Sequence, residues 1–331
     1  MKKKMFLNRA IAQAVHEEME RDDKVILLGE DMKHLNGGLS VYLGVPGDFP
    51  DRCLEMPIAE LGYSHFAGGA AAAGYRPVVD LMFSDFMAIA SDSIINFAAK
   101  YRYVTLGEEI MPIVYVAGNG SRGTYGGWSS GCNHDQCMEA LFMNIPGLKV
   151  VAPYYPEDAK GLLKASIRDD DPVVFFYQLG SVGVQGEVEQ DADFIIPLNH
   201  AAKVRREGTD VTIIGIQGVL PFCESAAEKL AGEGVSVEVI DPRVLAPLDV
   251  EALAASAAKT GRVLIVQEGP VRGGVGGEIA AQLAKECHGK LKAPIERLGQ
   301  LHTPGPCGPT EAMMHVNPDQ IYEKVKELMK Y

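Results

Sequence analysis

Pro77-Val78-Val79-Asp80-Leu81-Met82 is an almost unbroken apolar run, and what flanks it decides the fold. Before it stands the small-residue stretch Ala67 to Gly74; after it, Ala88 to Ala99 places apolar residues at helical spacing, and Met111 to Ala117 is a second apolar run. The spacing predicts strand, helix, strand. Strands that read as continuous β-branched or apolar runs with helices between them belong in a parallel sheet covered on both faces. Working outward, the same alternation holds. Leu7, Ile11, Ala14, Val15 and Met19 predict a helix over residues 5–20, Asp22-Asp23 break it, and Val25 to Leu28 predicts a buried strand. Downstream come a strand over Leu148 to Ala152, a helix over Glu157 to Arg168 and a strand over Val173 to Tyr177.

From Gly180 to Pro197 the periodicity fails, and acidic residues accumulate between Gln185 and Asp193, which marks a connection. The pattern then restarts. Strands are predicted at Val211 to Ile216, Val235 to Ile240, Arg262 to Val266 and Ile295 to Leu298. Helices are predicted at Pro221 to Gly232, Val250 to Ala258, Gly277 to Glu286 and Pro318 to Lys330. The fold class is therefore α/β with two doubly wound domains, residues 1–185 and 206–331, joined by 186–205. A length of 331 residues fits two such domains, since single cores rarely grow beyond about 250 residues.

Composition removes several classes of function. A net charge of −13 does not suit a nucleic-acid or anionic-membrane surface, which needs clustered Lys and Arg. Lys2-Lys3-Lys4 is a small basic cluster, but Asn8, Arg9, Gln13, Glu17 and Glu18 break up the stretch after it, so it reads as mature sequence rather than a signal peptide. The apolar runs fall far short of the roughly 20 residues of a membrane span. Six scattered cysteines in a long chain fit a reducing compartment, and the expected location is the cytoplasm.

Three stretches hold residues that could do chemistry. In Glu55-Met56-Pro57-Ile58-Ala59-Glu60-Leu61-Gly62 an acid sits at a loop-to-helix junction; taken alone, Glu60 reads as a carboxylate stabilised by the helix dipole. Phe83 and Phe86 lie at the carboxyl end of a predicted strand, where open α/β sheets bind ligands; Phe83 suits the core and Phe86 a ring-stacking surface. The glycine-rich loop Gly118 to Cys132, with the chain's only Trp, leads into Asn133-His134-Asp135-Gln136-Cys137. By itself His134 reads equally well as a functional residue or as a plain helix cap or surface residue, and no second cluster completes a metal site with Cys132 and Cys137. Gly269 to Gly277 is glycine-rich between strand and helix, but lacks both the G-x-G-x-x-G spacing and a Walker lysine, so it reads as structural.

Together these stretches resemble the beta subunits of the thiamine-dependent 2-oxoacid dehydrogenases, the family of the pyruvate, branched-chain and acetoin enzymes. The matches run through nearly the whole chain: Leu28-Gly29-Glu30-Asp31 with Gly37-Gly38, Pro57 to Gly62, Ala99 to Tyr103, His134-x-Gln136-x-x-Glu139-Ala140, Pro146 to Pro153, Asp158 to Leu163, Asp169 to Pro172, Asp241-Pro242-Arg243 and Pro247-Leu248-Asp249. The resemblance implies a thiamine pyrimidine-binding domain followed by a transketolase C-terminal-type domain. It implies that Glu60 hydrogen-bonds the aminopyrimidine of thiamine diphosphate and exchanges the proton that activates it. Ile58, Met82 and Phe86 match positions that line or stack on that ring. His134 matches a histidine that handles the substrate carboxylate and acyl transfer to a lipoyl group, and the main chain at Ser166, Asp169 and Asp171 matches a loop that binds structural potassium in relatives.

The family's diphosphate and Mg²⁺ site needs a Gly-Asp-Gly sequence, and this chain has none. The Mg²⁺ must then come with an alpha-type partner, implying an alpha2beta2 assembly with the cofactor between subunits and a lipoyl acyltransferase as a further partner. Departures from the family lie at Tyr177-Gln178-Leu179, in the long Gly118 to Cys132 loop, and at His302-Thr303-Pro304 with the adjoining Gly305 to Pro309. Two other readings are a split transketolase-like subunit moving a ketol unit between sugars, and a non-catalytic assembly subunit.

Overall fold

Val25–Gly29 (β2) is buried along its whole length because it lies inside a sheet covered on both faces. The computed structural model describes residues 1–121, 131–305 and 308–331, without the side chains of 309 and 312. Most of the long glycine-rich loop, and part of Gly305 to Pro309, lie outside the described residues. Two compact units emerge: one takes in Met1–Ser121 and Asn133–Leu198, the other is built on Asn199–Tyr331.

The first unit begins with β1 (Lys2–Phe6) and α1 (Leu7–Arg21), which lead into β2. Short helices α2 (Met32–Leu35) and α3 (Val45–Asp48) precede β3 (Cys53–Glu55), α4 (Glu60–Ala72) and β4 (Arg76–Phe83). Then come α5 (Ala99–Val104), β5 (Val114–Asn119), α6 (Glu139–Met143), β6 (Lys149–Val151), α7 (Pro156–Arg168), β7 (Val173–Gln178) and β8 (Gln185–Glu189). Six of these strands run parallel in the order β6-β7-β5-β4-β2-β3. Leu27 pairs with both Cys53 and Val78, and Val78 in turn with Val114, so the apolar runs stack in one layer.

Helices α1 and α7 pack together across a buried ionic cluster. Glu18 takes Arg168, Arg21 and Lys164, while Glu17 takes Lys160 and Lys164. Fully covered charges persist only when paired in this way. At Gly147, φ is +93° and a Cβ would stand 2.0 Å from the Ala99 carbonyl oxygen, so the turn before β6 admits only glycine.

Three local expectations differ from the structure. Residues 88–99 do not form one α-helix: Ser84–Ala88 is a 3₁₀ turn, Asp92–Ala98 is π-helical, and α5 comes next. This brings the Phe97 ring over Gly68 of α4, where a Cβ would be 2.7 Å from it. Residues 2–6 are a strand rather than a prelude to the helix, and the acidic segment after Gly180 contains β8. These two strands pair antiparallel with Lys2 opposite Glu189 and Lys4 opposite Glu187. Opposed Lys and Glu favour that pairing, but their separation along the chain hides it from local periodicity.

The second unit has β9 (Lys203–Arg206), β10 (Val211–Gly215), α8 (Leu220–Ala231), β11 (Val237–Asp241), β12 (Val244–Ala246), α9 (Val250–Thr260), β13 (Val263–Pro270), α10 (Val275–Glu286), β14 (Glu296–Gln300) and α11 (Pro318–Leu328). Its sheet runs β14-β13-β10-β11-β9, parallel except for the edge strand β9. Among the described residues no helix is long and apolar enough to cross a membrane.

Candidate functional site

The strands β2, β3, β4 and β5 are parallel, so their carboxyl ends lie along one edge, and most of the candidate residues gather there. Strand β4 ends irregularly. Its register against β5 shifts between Asp80 and Phe83, and Met82 has φ +60°, a left-handed conformation that costs a non-glycine residue energy. Side chains hold it in place: the Asp80 carboxylate accepts the Met82 amide at 3.2 Å, and the Tyr177 hydroxyl donates to the Met82 carbonyl at 3.4 Å. The Met82 side chain lies against Gly38, where a Cβ would come within 2.3 Å of its Cγ. The Gly37-Gly38 pair is thus the space into which Met82 fits.

Asp80 is buried, and burial pushes its carboxyl up to about 7; the Met82 and Gly38 amides oppose the rise and Glu30 adds to it. In the unfolded chain it ionises near 3.8. Between these values the folded state holds the extra proton, so this group's contribution to stability is full below the lower value and is lost as pH rises through the higher one. Asp80→Asn cannot ionise. Its thermal midpoint relative to the parent should therefore rise between about pH 5 and about pH 8, as measured by thermal unfolding across that range; a pH-independent difference would contradict the assignment.

Glu60 is the first residue of α4, where the helix dipole favours a carboxylate. It is only 7% exposed, yet among the described residues no hydrogen bond reaches its carboxyl. Glu30, immediately after β2, faces Glu60 and Tyr63; burial first and the Glu60 charge second raise its carboxyl above the ordinary value, and its Oε1 has no hydrogen-bond partner. Its loop is fixed by Glu55, whose two oxygens accept the Asp31 amide at 3.0 Å and the Lys33 amide at 2.7 Å. Tyr63, on the turn after Glu60, donates to the Asp80 carbonyl at 3.3 Å and links the acids to the end of β4.

His134 lies edge-on between two rings, its centroid 4.7 Å from Phe83 and 5.3 Å from Phe86, which are themselves 5.4 Å apart. Phe86 is partly exposed and Phe83 buried. The structure thus brings Glu60, Met82, Phe86 and His134 to one edge of the sheet. Ile58 lies on the loop leading to Glu60 and is 84% exposed on this chain.

Ser166, Asp169 and Asp171 lie elsewhere, between the end of α7 and the start of β7, at the edge where β4 begins. That is about 20 Å from Met82 along β4. Two of these three carbonyls are already engaged: Ser166 accepts the Asp169 amide at 3.3 Å, and Asp169 accepts Arg76 Nη1 at 3.0 Å. Lys149 donates to both carboxylate oxygens of Asp169, at 2.6 and 2.7 Å. Burial raises the Asp171 carboxyl, but Arg102 and Lys149 outweigh it and hold it below its ordinary value. Protein cations thus neutralise the carboxylates of this loop, and two of its three carbonyls each already accept one hydrogen bond.

Four residues with a claim on the site escaped the sequence reading as site residues: Glu30, Tyr63, Asp80 and Asp85. An acid directly after a fully apolar strand, as Glu30 stands after β2, was the available signal. The others carry none without the fold.

The two α/β units, with an acid, a left-handed bulge and an aromatic cluster at the carboxyl edge of the first, define a protein of the transketolase-like class. Residues 3–183 match the family described as transketolase, pyrimidine binding domain, and residues 200–321 match transketolase, C-terminal domain. The chain is 41% identical to the 2-oxoisovalerate dehydrogenase subunit beta of Bacillus subtilis (strain 168), covering 97% of this chain and 98% of that one. It is 39% identical to the acetoin:2,6-dichlorophenolindophenol oxidoreductase subunit beta of Cupriavidus necator, covering 100% and 99%. Among solved structures, a split-gene transketolase in an inactive beta4 tetramer superposes with a TM-score of 0.78 at 23% identity over 98% of each chain, a likeness of fold. The chain belongs to the beta subunits of the thiamine-diphosphate-dependent 2-oxoacid and acetoin dehydrogenases.

Proposed function

We propose that this chain forms the aminopyrimidine-binding half of a 2-oxoacid or acetoin dehydrogenase and passes the acyl group to lipoamide. The observation that carries the reading is the Glu60 carboxyl, nearly covered and without a hydrogen-bond partner among the described residues. A buried acceptor left open in this way costs stability unless a ligand fills it. Thiamine diphosphate, when bound, supplies the nucleophilic carbon and the electron sink for cleavage beside a carbonyl. Glu60 holds and exchanges a proton at the ring nitrogen of the aminopyrimidine. Met82, kept in its left-handed conformation by Asp80 and Tyr177, forms the floor for the ring, Phe86 a side wall and Ile58 the lip. His134 contacts the substrate carboxylate and guides the acyl group to the lipoyl acceptor.

The alpha subunit holds Mg²⁺ and the diphosphate in an alpha2beta2 assembly, because this chain lacks Gly-Asp-Gly. A lipoyl acyltransferase is the acceptor-bearing partner, and the complex is cytoplasmic. A structural potassium ion at the main chain of Ser166, Asp169 and Asp171 would sit far from the cofactor end of the sheet and take no part in the chemistry. The test is a substrate panel on the reconstituted pair: 2-oxoisovalerate, pyruvate and acetoin with 2,6-dichlorophenolindophenol as acceptor, and a ketose phosphate with an aldose. Dye reduction with a 2-oxoacid or acetoin is expected. Ketol transfer to the aldose without dye reduction would overturn the proposal in favour of a split transketolase.

A further inference from the structure

His134 occupies a stretch without helix or strand: residues 132–134 form a turn, and no ladder of backbone hydrogen bonds fixes 135–138. Side chains at the end of β4 do much to place it. The four consecutive residues Phe83 to Phe86 all touch this segment. Phe83 and Phe86 flank the imidazole. Ser84 Oγ donates to the Gln136 carbonyl at 2.8 Å, and Asp85 accepts both the Gln136 amide, at 3.3 Å, and its side-chain Nε2, at 2.7 Å. The Gly120 amide donates to the same Gln136 carbonyl at 3.0 Å, and just beyond, Asn119 Oδ1 accepts the Met138 amide at 3.1 Å.

Gln136 is exposed, so its own amide groups do not need these bonds to escape burial. They constrain a path. Asp85, in contrast, is half-buried, and burial raises its carboxyl while the two Gln136 donors oppose the rise. An acid in such a place is costly unless its bonds are kept. The ring contacts are non-directional, whereas the hydrogen bonds two residues further on fix the path of the chain next to the imidazole.

We infer that Asp85 is a positioning residue for His134, acting through its two-point grip on Gln136. The inference rests on the reading of His134 as the group that meets the acyl unit. A displacement of about 1 Å at such a group costs up to roughly a hundredfold in rate, so Asp85→Asn, which keeps the shape but can accept only one of the two bonds, should lower turnover with a lipoyl acceptor about tenfold. Gln136→Met, which removes the side-chain donor at nearly constant volume, should act in the same direction. Neither should change thiamine diphosphate affinity by more than about twofold, because neither bond touches the Glu60 side of the site.

The deciding experiment is a double-mutant cycle in the assembled alpha–beta complex, measuring kcat and KM for reductive acylation of a lipoylated carrier. If Asp85 acts through His134, Asp85→Asn should lower kcat in the parent and add little, less than about twofold, to His134→Ala. Multiplicative losses, or a combined loss of cofactor affinity and thermal stability, would show a general structural role and overturn the inference. So would full kcat in both Asp85→Asn and Gln136→Met while His134→Ala is impaired. Full turnover by His134→Ala itself would overturn the reading of His134 and this inference with it, a result distinct from the others.

Discussion

Glu60→Gln in the assembled complex should lose on the order of 10²- to 10⁴-fold in turnover, the range that a positioned proton-transfer group contributes. Glutamine keeps the volume and can still hydrogen-bond, so α4 should start at the same residue and the fold should be unchanged. What it cannot do is take up and release a proton. The neighbourhood holds a second acid: the Glu60 charge helps to raise the Glu30 carboxyl, and Glu30 has an oxygen with no hydrogen-bond partner. It does not replace Glu60, because Glu60 is the one at the start of α4 whose carboxyl has no hydrogen bond among the described residues. Steady-state turnover and cofactor titration on the same preparation check this. Loss of turnover with retained cofactor binding is the expected pair of results; full turnover would favour a non-catalytic assembly subunit.

The chain alone should bind thiamine diphosphate at least about 100-fold more weakly than the chain with its alpha partner. Ile58, at the lip of the site, is 84% exposed on this chain. On the proposed reading the diphosphate end finds its Mg²⁺ cage on the alpha subunit, and each charge-assisted hydrogen bond forgone is worth roughly 1.5–3 kcal/mol, so two account for a hundredfold or more. Titrating the cofactor into the chain with and without the alpha subunit, by calorimetry or quenching of tyrosine fluorescence, gives the ratio directly. Equal affinities would mean that the diphosphate site is on this chain after all.

Much of the fold was legible because its signals are local. Val25 to Leu28 and Val173 to Tyr177 are apolar without interruption, and Val211 to Ile216 nearly so, and only strands buried on both faces need that. The helices with a clear polar side, α1 and α7, were equally plain. What was not legible depended on distant partners or on departures from regular geometry. β1 carries three lysines and becomes a strand because Glu187 and Glu189 lie opposite; no window of sequence contains both. The π-helical turn at Asp92–Ala98 shows no distinct periodicity over so few residues, and its fit of Phe97 to Gly68 needs α4 in place.

The same division runs through the site. Glu60, His134, Met82, Ile58 and Phe86 could be named from ordered motifs, since a motif records residue types at fixed spacing along the chain. The sequence by itself therefore determined the α/β class, the two-part organisation and the family, all of which come from local pattern and motif order. Only the tertiary structure decided which side chains hold those residues in place. Asp80 and Tyr177 grip the two ends of the Met82 residue from different strands, Tyr63 ties the acid pair to β4, and Asp85 reaches across to Gln136. The Asp80 bond is local to β4, but the Tyr177, Tyr63 and Asp85 bonds join segments that meet only when the parallel strands align their carboxyl ends, and it is that alignment that turns scattered polar residues into one site.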